Sequence, residues 1–141
     1  MTSLRLDKRE KLRGKTRVDG IFVAGTSVIA YPLRAVFMVE RDTGGETAAV
    51  RFLVSIPKKK IRHAVDRVLL RRRTREAYRL NRHLLLPALH EAGARVDVAF
   101  CYLSRDLAPY EVINAKMQHL LGIIARAATT PSHETAAAPH P

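Results

Sequence analysis

The sequence predicts an α+β fold, a two-layer sandwich in which one four-stranded sheet carries helices packed on a face. Three observations predict it. Strand-like segments rich in β-branched and aromatic residues follow one another between Ser27 and Ile56. A long helical segment then separates them from one further apolar run, Arg95 to Leu103. A last amphipathic segment, Tyr110 to Ala127, has the helical period. The order is α-β-β-β-α-β-α.

Each element has its own signals. Thr2 to Lys15 is basic and polar and is expected to lie loosely on the surface. Thr16 to Ala24 reads as a short helix. Thr16 would cap it, Val18, Ile21 and Phe22 would form its apolar stripe, and Gly25 would end it. Ser27 to Tyr31 is a short strand and Leu33 to Glu40 a stronger one. Asp42 to Glu46 holds the turn Thr43-Gly44-Gly45, so the next strand, Ala48 to Ile56, is expected to pair with the preceding one as a hairpin. Pro57 stops that strand. A basic stretch, Lys58-Lys59-Lys60-Ile61-Arg62, leads into a long helix from His63 to His83. Pro87 interrupts the pattern and leaves a short helical piece to Glu91, followed by a turn at Ala92-Gly93. Ser104 to Pro109 is a loop. In the final helix Val112, Ile113, Met117, Leu120, Leu121 and Ile124 recur at helical spacing. From Ala128 the chain is Ala, Pro, Thr and His, which predicts a disordered tail over 128–141 and a single domain over 1–127.

Composition narrows the function. Of 141 residues, 47% are hydrophobic but only 6% aromatic, with no Trp, so a small core must be built from Val, Ile, Leu and Ala. Lys and Arg number 25 against 13 Asp and Glu, giving +12 and a pI near 10.7. Self-repulsion of that size is relieved by an anionic partner, and nucleic acid is favoured over a membrane surface. Cys101 is the only cysteine, which excludes an internal disulfide, and its apolar surroundings read as a buried thiol. The charged N-terminus is unlike a signal peptide, and no window approaches the ~20 apolar residues of a spanning helix. A cytoplasmic protein without membrane contact is expected. His63, His83, His90 and His119 are scattered and have no metal-ligand spacing, so no metal site is expected on the chain. Gly44-Gly45 is a turn and not a phosphate loop, and no Ser, His and Asp trio suggests catalysis. The chain alone should not be a nuclease.

Charge is concentrated. From Lys58 to Arg82 there are eleven Lys or Arg against Asp66 and Glu76, a net +9. At about 100° per residue, Arg67, Arg71, Arg72, Arg75, Arg79 and Arg82 share one arc of about 140°. Val65, Leu69, Leu70, Ala77, Leu80 and Leu84 share another and are the expected core face, with Arg73 snorkelling from its edge. A merely solvated face mixes signs, because Glu and Arg one turn apart support a helix. A same-sign arginine arc instead fits phosphate oxygens, whose counterions it would release. Asn81 is the only amide on the helix, so backbone or shape recognition is favoured over sequence readout.

The run Ser55-Ile56-Pro57-Lys58-Lys59-Lys60, then Ala64-Val65-Asp66-Arg67, then Arg71-Arg72 and Arg75-Glu76-Ala77-Tyr78-Arg79 resembles the signature of the bacterial ribonuclease P protein subunit. Upstream, Lys11-Leu12 and Ile21 to Ser27 resemble the family's opening helix and the Gly that ends it. Downstream, Val96-Asp97-Val98-Ala99-Phe100 resembles its last strand and Tyr110-Glu111 the start of its last helix. The resemblance covers Lys11 to Ala127. It implies the same element order, and a left-handed crossover around the basic helix where strand twist alone favours a right-handed one. It implies an accessory subunit of an endoribonuclease. The catalytic subunit is an RNA, with Mg²⁺ bound mainly by that RNA. The protein would bind the catalytic RNA and the single-stranded 5′ leader of precursor tRNA, with no obligatory protein partner. The implied RNA contacts are Lys58, Lys59, Lys60, Arg67, Arg71, Arg72, Arg75, Arg79 and Arg82. The implied leader cleft holds Phe22 and Phe37, whose rings would stack on bases of any sequence, and Ser55.

One departure stands out. The family carries Arg-Asn-Arg where this chain has Arg67-Val68-Leu69. Val68 falls in the middle of the arginine arc, and Leu69 on the apolar one. A donor pair and a positive charge are thereby missing near the proposed phosphate site. These two residues favour an alternative, a non-catalytic general RNA-binding module of ribosome-associated or RNA chaperone-like type. A membrane-surface role would need the apolar arc exposed, and the flanking strands predict it buried.

Overall fold

The last strand decides the sheet. The computed structural model describes residues 11–12, 14–41 and 49–129. Within them the strands are β1 (Thr26–Ala30), β2 (Leu33–Arg41), β3 (Val50–Ser55) and β4 (Ala94–Tyr102). The helices are α1 (Lys15–Ala24), α2 (Ala64–Asn81), α3 (Leu86–Ala92) and α4 (Tyr110–Thr129), with a 3₁₀ turn at Arg82–Leu84 after α2. Val96 to Tyr102 are all buried. A strand buried on both faces belongs in the interior of a sheet. The order is β1-β2-β4-β3, with β4 antiparallel to β2 and parallel to β3.

This α+β architecture agrees with the predicted class and order. It corrects the hairpin between the second and third strands. β4 lies between β2 and β3, which do not pair. A Gly-Gly turn signals reversal of the chain but not the identity of the neighbour. A strand as apolar as β4 buries more of its surface in the middle than at an edge. The turn itself, Thr43-Gly44-Gly45, and the predicted tail over 130–141 lie outside the described residues.

Alternation along the strands separates two faces. Leu33, Ala35, Phe37, Val50, Phe52, Val96, Val98, Phe100 and Tyr102 form the main core with residues of α2, α3 and α4. Phe52, Tyr78 and Phe100 meet there, with ring centroids 4.4 to 6.2 Å apart. The opposite face carries α1, where Leu12, Ile21 and Val36 form a second cluster with Val18, Met38 and Leu53 at its margin. Helices therefore lie on both faces, rather than on one.

Local details also differ. α1 starts at Lys15, preceded by Gly14 with no side-chain cap, so Thr16 lies inside the helix and does not cap it. Phe22 leaves the predicted stripe and is 44% exposed. Pro87 sits in the first turn of α3, where its missing N–H costs nothing, and Gly93 ends that helix at φ 64°. In α4 the buried residues are Ile113, Met117, Leu120, Leu121, Ile124 and Ala128, while Val112 is exposed.

The core face of α2 is rotated from the predicted one. The buried residues are Leu70, Thr74, Ala77, Tyr78 and Asn81. Val65 is 75% exposed, and Leu80 and Leu84 are exposed too. Hydropathy missed this stripe because two of its members are polar, and both are satisfied internally. Thr74 donates to the Leu70 carbonyl at 2.8 Å. Asn81 donates to the Ala77 carbonyl at 2.8 Å and to Asn114 Oδ1 at 2.5 Å, and accepts from Gln118 Nε2 at 3.0 Å. Asn81 thus ties α2 to α4 and is not a reader of bases. Arg73, as expected, reaches out from the core edge, and donates to the Ala108 carbonyl at 2.6 Å.

Candidate nucleic-acid interface

The outward face of α2 is narrower than the sequence arc. Arg72 and Arg75 are exposed and Arg71 is half-buried. With Val68, Glu76 and Arg79 they line a shallow groove of about 370 Å³. The other three arginines of the arc are placed differently. Arg67 Nη1 donates to the carbonyls of Ile61 and Arg62, at 3.0 and 2.9 Å. It therefore fastens the preceding loop to the first turn of α2. Arg79 is held by Glu76, through Nε at 3.0 Å and Nη2 at 2.7 Å. That pair holds the Glu76 carboxyl below the usual carboxylate range and raises the Arg79 guanidinium. Arg82 is 6% exposed and is a correction to the expected contacts. The α-helix ends at Asn81, and the 3₁₀ turn that follows turns the chain by a different angle per residue, so the ideal wheel fails there.

The turn Lys58–Lys60 precedes α2. Lys58 and Lys59 are exposed and Lys60 is half-buried. The turn is built on Pro57, whose carbonyl accepts from the backbone N–H of Lys60 and Ile61 at 3.1 and 3.0 Å. Arg105 Nη1 reaches the Lys59 carbonyl at 3.3 Å. The turn thus precedes α2 by a short loop, Ile61 to His63, whose first two carbonyls are held by Arg67.

A second surface lies on the α1 face of the sheet. Strand register sets Ile29, Arg34, Cys101 and Ser55 in one row across all four strands. The next row is Ser27, Val36, Ala99 and Leu53, and Ile21 packs over Val36. Further along, Asp97 is clasped by Arg51 at 2.9 and 3.1 Å and approached by Arg17 of α1 at 3.5 Å. Ser55 is on this face, opposite Cys101. Phe22 at the end of α1 is exposed enough to stack on a base. Phe37 is not a cleft residue, since it is 3% exposed in the main core on the other face. In β2 the α1 face belongs to Arg34, Val36, Met38 and Glu40. Arg34, which sequence reasoning did not single out, faces this side and donates to Ser27 Oγ at 2.8 Å. The signal available was strand alternation, once α1 was assigned to the far side of the sheet. Cys101 sits in the same row, and burial pushes its thiol up, away from a reactive thiolate.

The family model for Ribonuclease P matches residues 6–125. The chain belongs to the ribonuclease P protein family. It is 36% identical over 116 residues to the ribonuclease P protein component of Porphyromonas gingivalis, covering 82% of this chain and 83% of that one. The Chlorobaculum tepidum component is 34% identical over 123 residues, covering 82% and 80%. In structure the chain resembles the RNase P protein from Thermotoga maritima, with TM-score 0.63 and 18% identity over 81% of this chain and 96% of that one. It also resembles a Staphylococcus aureus RNase P protein mutant with defective mRNA degradation activity, with TM-score 0.65 and 18% identity over 83% and 89%. At that identity the likeness is one of fold. As a ribonuclease P protein the chain has a role in an endoribonuclease complex of tRNA processing. No described helix is long and apolar enough to cross a membrane.

Proposed function

We propose that the chain binds the catalytic RNA of ribonuclease P through α2 and the Lys58–Lys60 turn. It holds the 5′ leader of precursor tRNA along the α1 face of the sheet, and so promotes endonucleolytic removal of the leader. The observation that carries this reading is the gathering of Arg71, Arg72 and Arg75 in one groove of α2, with Lys58 and Lys59 exposed in the turn that precedes that helix. Such a gathering of cations neutralises several phosphates and releases their counterions. Arg34 and Ser55 in one row of the α1 face, and the exposed ring of Phe22 on α1, offer a guanidinium, a hydroxyl and a ring, which suit a single strand of variable sequence.

In this reading the chain binds and orients, and the RNA supplies the reacting groups. Mg²⁺ is assigned to the RNA. The α2 face is walled by guanidinium groups that repel a divalent cation, and its one carboxylate, Glu76, is engaged by Arg79. The test is reconstitution with the cognate ribonuclease P RNA at low Mg²⁺. Cleavage of precursor tRNA should rise when the chain is added, and the chain alone should do nothing. Absence of stimulation would overturn the reading.

Val68 and Leu69 support the second reading, a general RNA-binding module. Equal affinity for RNAs with and without a 5′ leader, with no stimulation of cleavage, would favour it.

A further inference from the structure

Val68 stands 49% exposed in the groove formed with Arg71, Arg72, Arg75, Glu76 and Arg79. An apolar side chain among guanidinium groups is unsuited to phosphate, because covering it with a hydrated anion desolvates the anion without hydrogen bonds in return. Water alone leaves its apolar surface unburied. A second copy of this chain would bring another arginine face against the first and is opposed by charge. The ligand that fits both features is planar and apolar on its faces and carries its negative charge at one side. A nucleotide has this form. Guanidinium planes stack on bases as readily as they bind phosphates.

We propose that this groove seats the base of an unpaired nucleotide of the RNA partner, with Val68 against its face. Arg72 and Arg75, both exposed, take the flanking phosphates, while the Glu76–Arg79 pair closes the end of the groove. This rests on the proposed function above and specifies its ligand. The apolar contact supplies affinity where the family's Asn and Arg would supply polar contacts. The site therefore adds a term to binding that does not depend on salt.

The experiment measures affinity of the full chain for the ribonuclease P RNA over a series of salt concentrations, with base-specific chemical probing of the RNA. Val68→Asn should weaken binding about fivefold, from loss of the apolar contact, with an unchanged salt slope. Val68→Ile should restore wild-type affinity. Arg75→Ala should instead lower the salt slope by about one. One unpaired base should be protected by the wild-type chain and released by Val68→Asn. If the wild-type chain binds and stimulates cleavage but Val68→Asn binds as well or better, or releases no base, the base site is wrong and the proposed function stands. If the wild-type chain neither binds nor stimulates, the proposed function itself fails. Val68 is at the surface, so a thermal midpoint matching the wild type separates binding loss from unfolding.

Discussion

Arg67 and Arg75 lie on the same helix and do different work. Arg67 holds two backbone carbonyls of the loop before α2, so Arg67→Ala should cost about 1–3 kcal/mol in stability and loosen the Lys58–Lys60 turn. Its denaturant midpoint should fall together with RNA affinity. Arg75 is exposed and touches no such group, so Arg75→Ala should change stability by less than about 0.5 kcal/mol while weakening RNA binding. Equal midpoints for the two variants would refute this division. At the sheet end, Glu40 accepts from Arg95 at 2.7 Å, and that contact holds its carboxyl below the usual range. A depressed carboxylate contributes stability at neutral pH that is lost as pH falls through its folded value. Urea midpoints should therefore fall less steeply with acid in Glu40→Gln than in wild type, by a small margin because the pair is partly exposed.

At the scale of the elements, α1 is fixed by close approach at Gly25. A Cβ there would lie 2.9 Å from the Phe37 carbonyl oxygen and would clash with that of Ile21. Gly25→Ala should therefore push α1 away from β2, with a loss of about 1–3 kcal/mol from overpacking. Leader affinity should drop while affinity for the catalytic RNA is kept. A variant that loses both equally would show that the cleft does not depend on the seat of α1. The limits of sequence reading also show at this scale. The existence of the main elements was legible, because β-branched runs and the α4 period are strong signals. The face that each element turns inward was less so. In α2 the buried stripe includes Thr74 and Asn81, polar residues whose partners on α4 or on the same helix cannot be read from hydropathy. In β2 whether Phe37 or Arg34 faces α1 depends on where α1 lies, a long-range fact that alternation alone does not contain. Arg79 and Arg82 were members of the arc by angle, and only their neighbours show one held by Glu76 and the other buried.

For the whole molecule, net charge and its placement predict the response to salt. With +12 over 141 residues and the cationic groups gathered at α2 and the turn before it, log affinity for RNA should fall linearly with log salt concentration. Binding indifferent to salt would contradict the α2 interface. The strand order has another consequence, in time instead of space. β3 can complete its sheet pairing only with β4, which begins at Ala94, thirty-nine residues after β3 ends at Ser55. During synthesis β1 and β2 can join as soon as they emerge, but β3 has only the short Lys11–Phe52 bridge to pair with until almost the whole domain exists. Closure of so long a loop is slow, and the open edges of β2 and β3 stay available to other chains meanwhile. In pulse-labelled hydrogen exchange β3 amides should gain protection together with those of β4, after the β1–β2 pair. Chains released before β4 should aggregate.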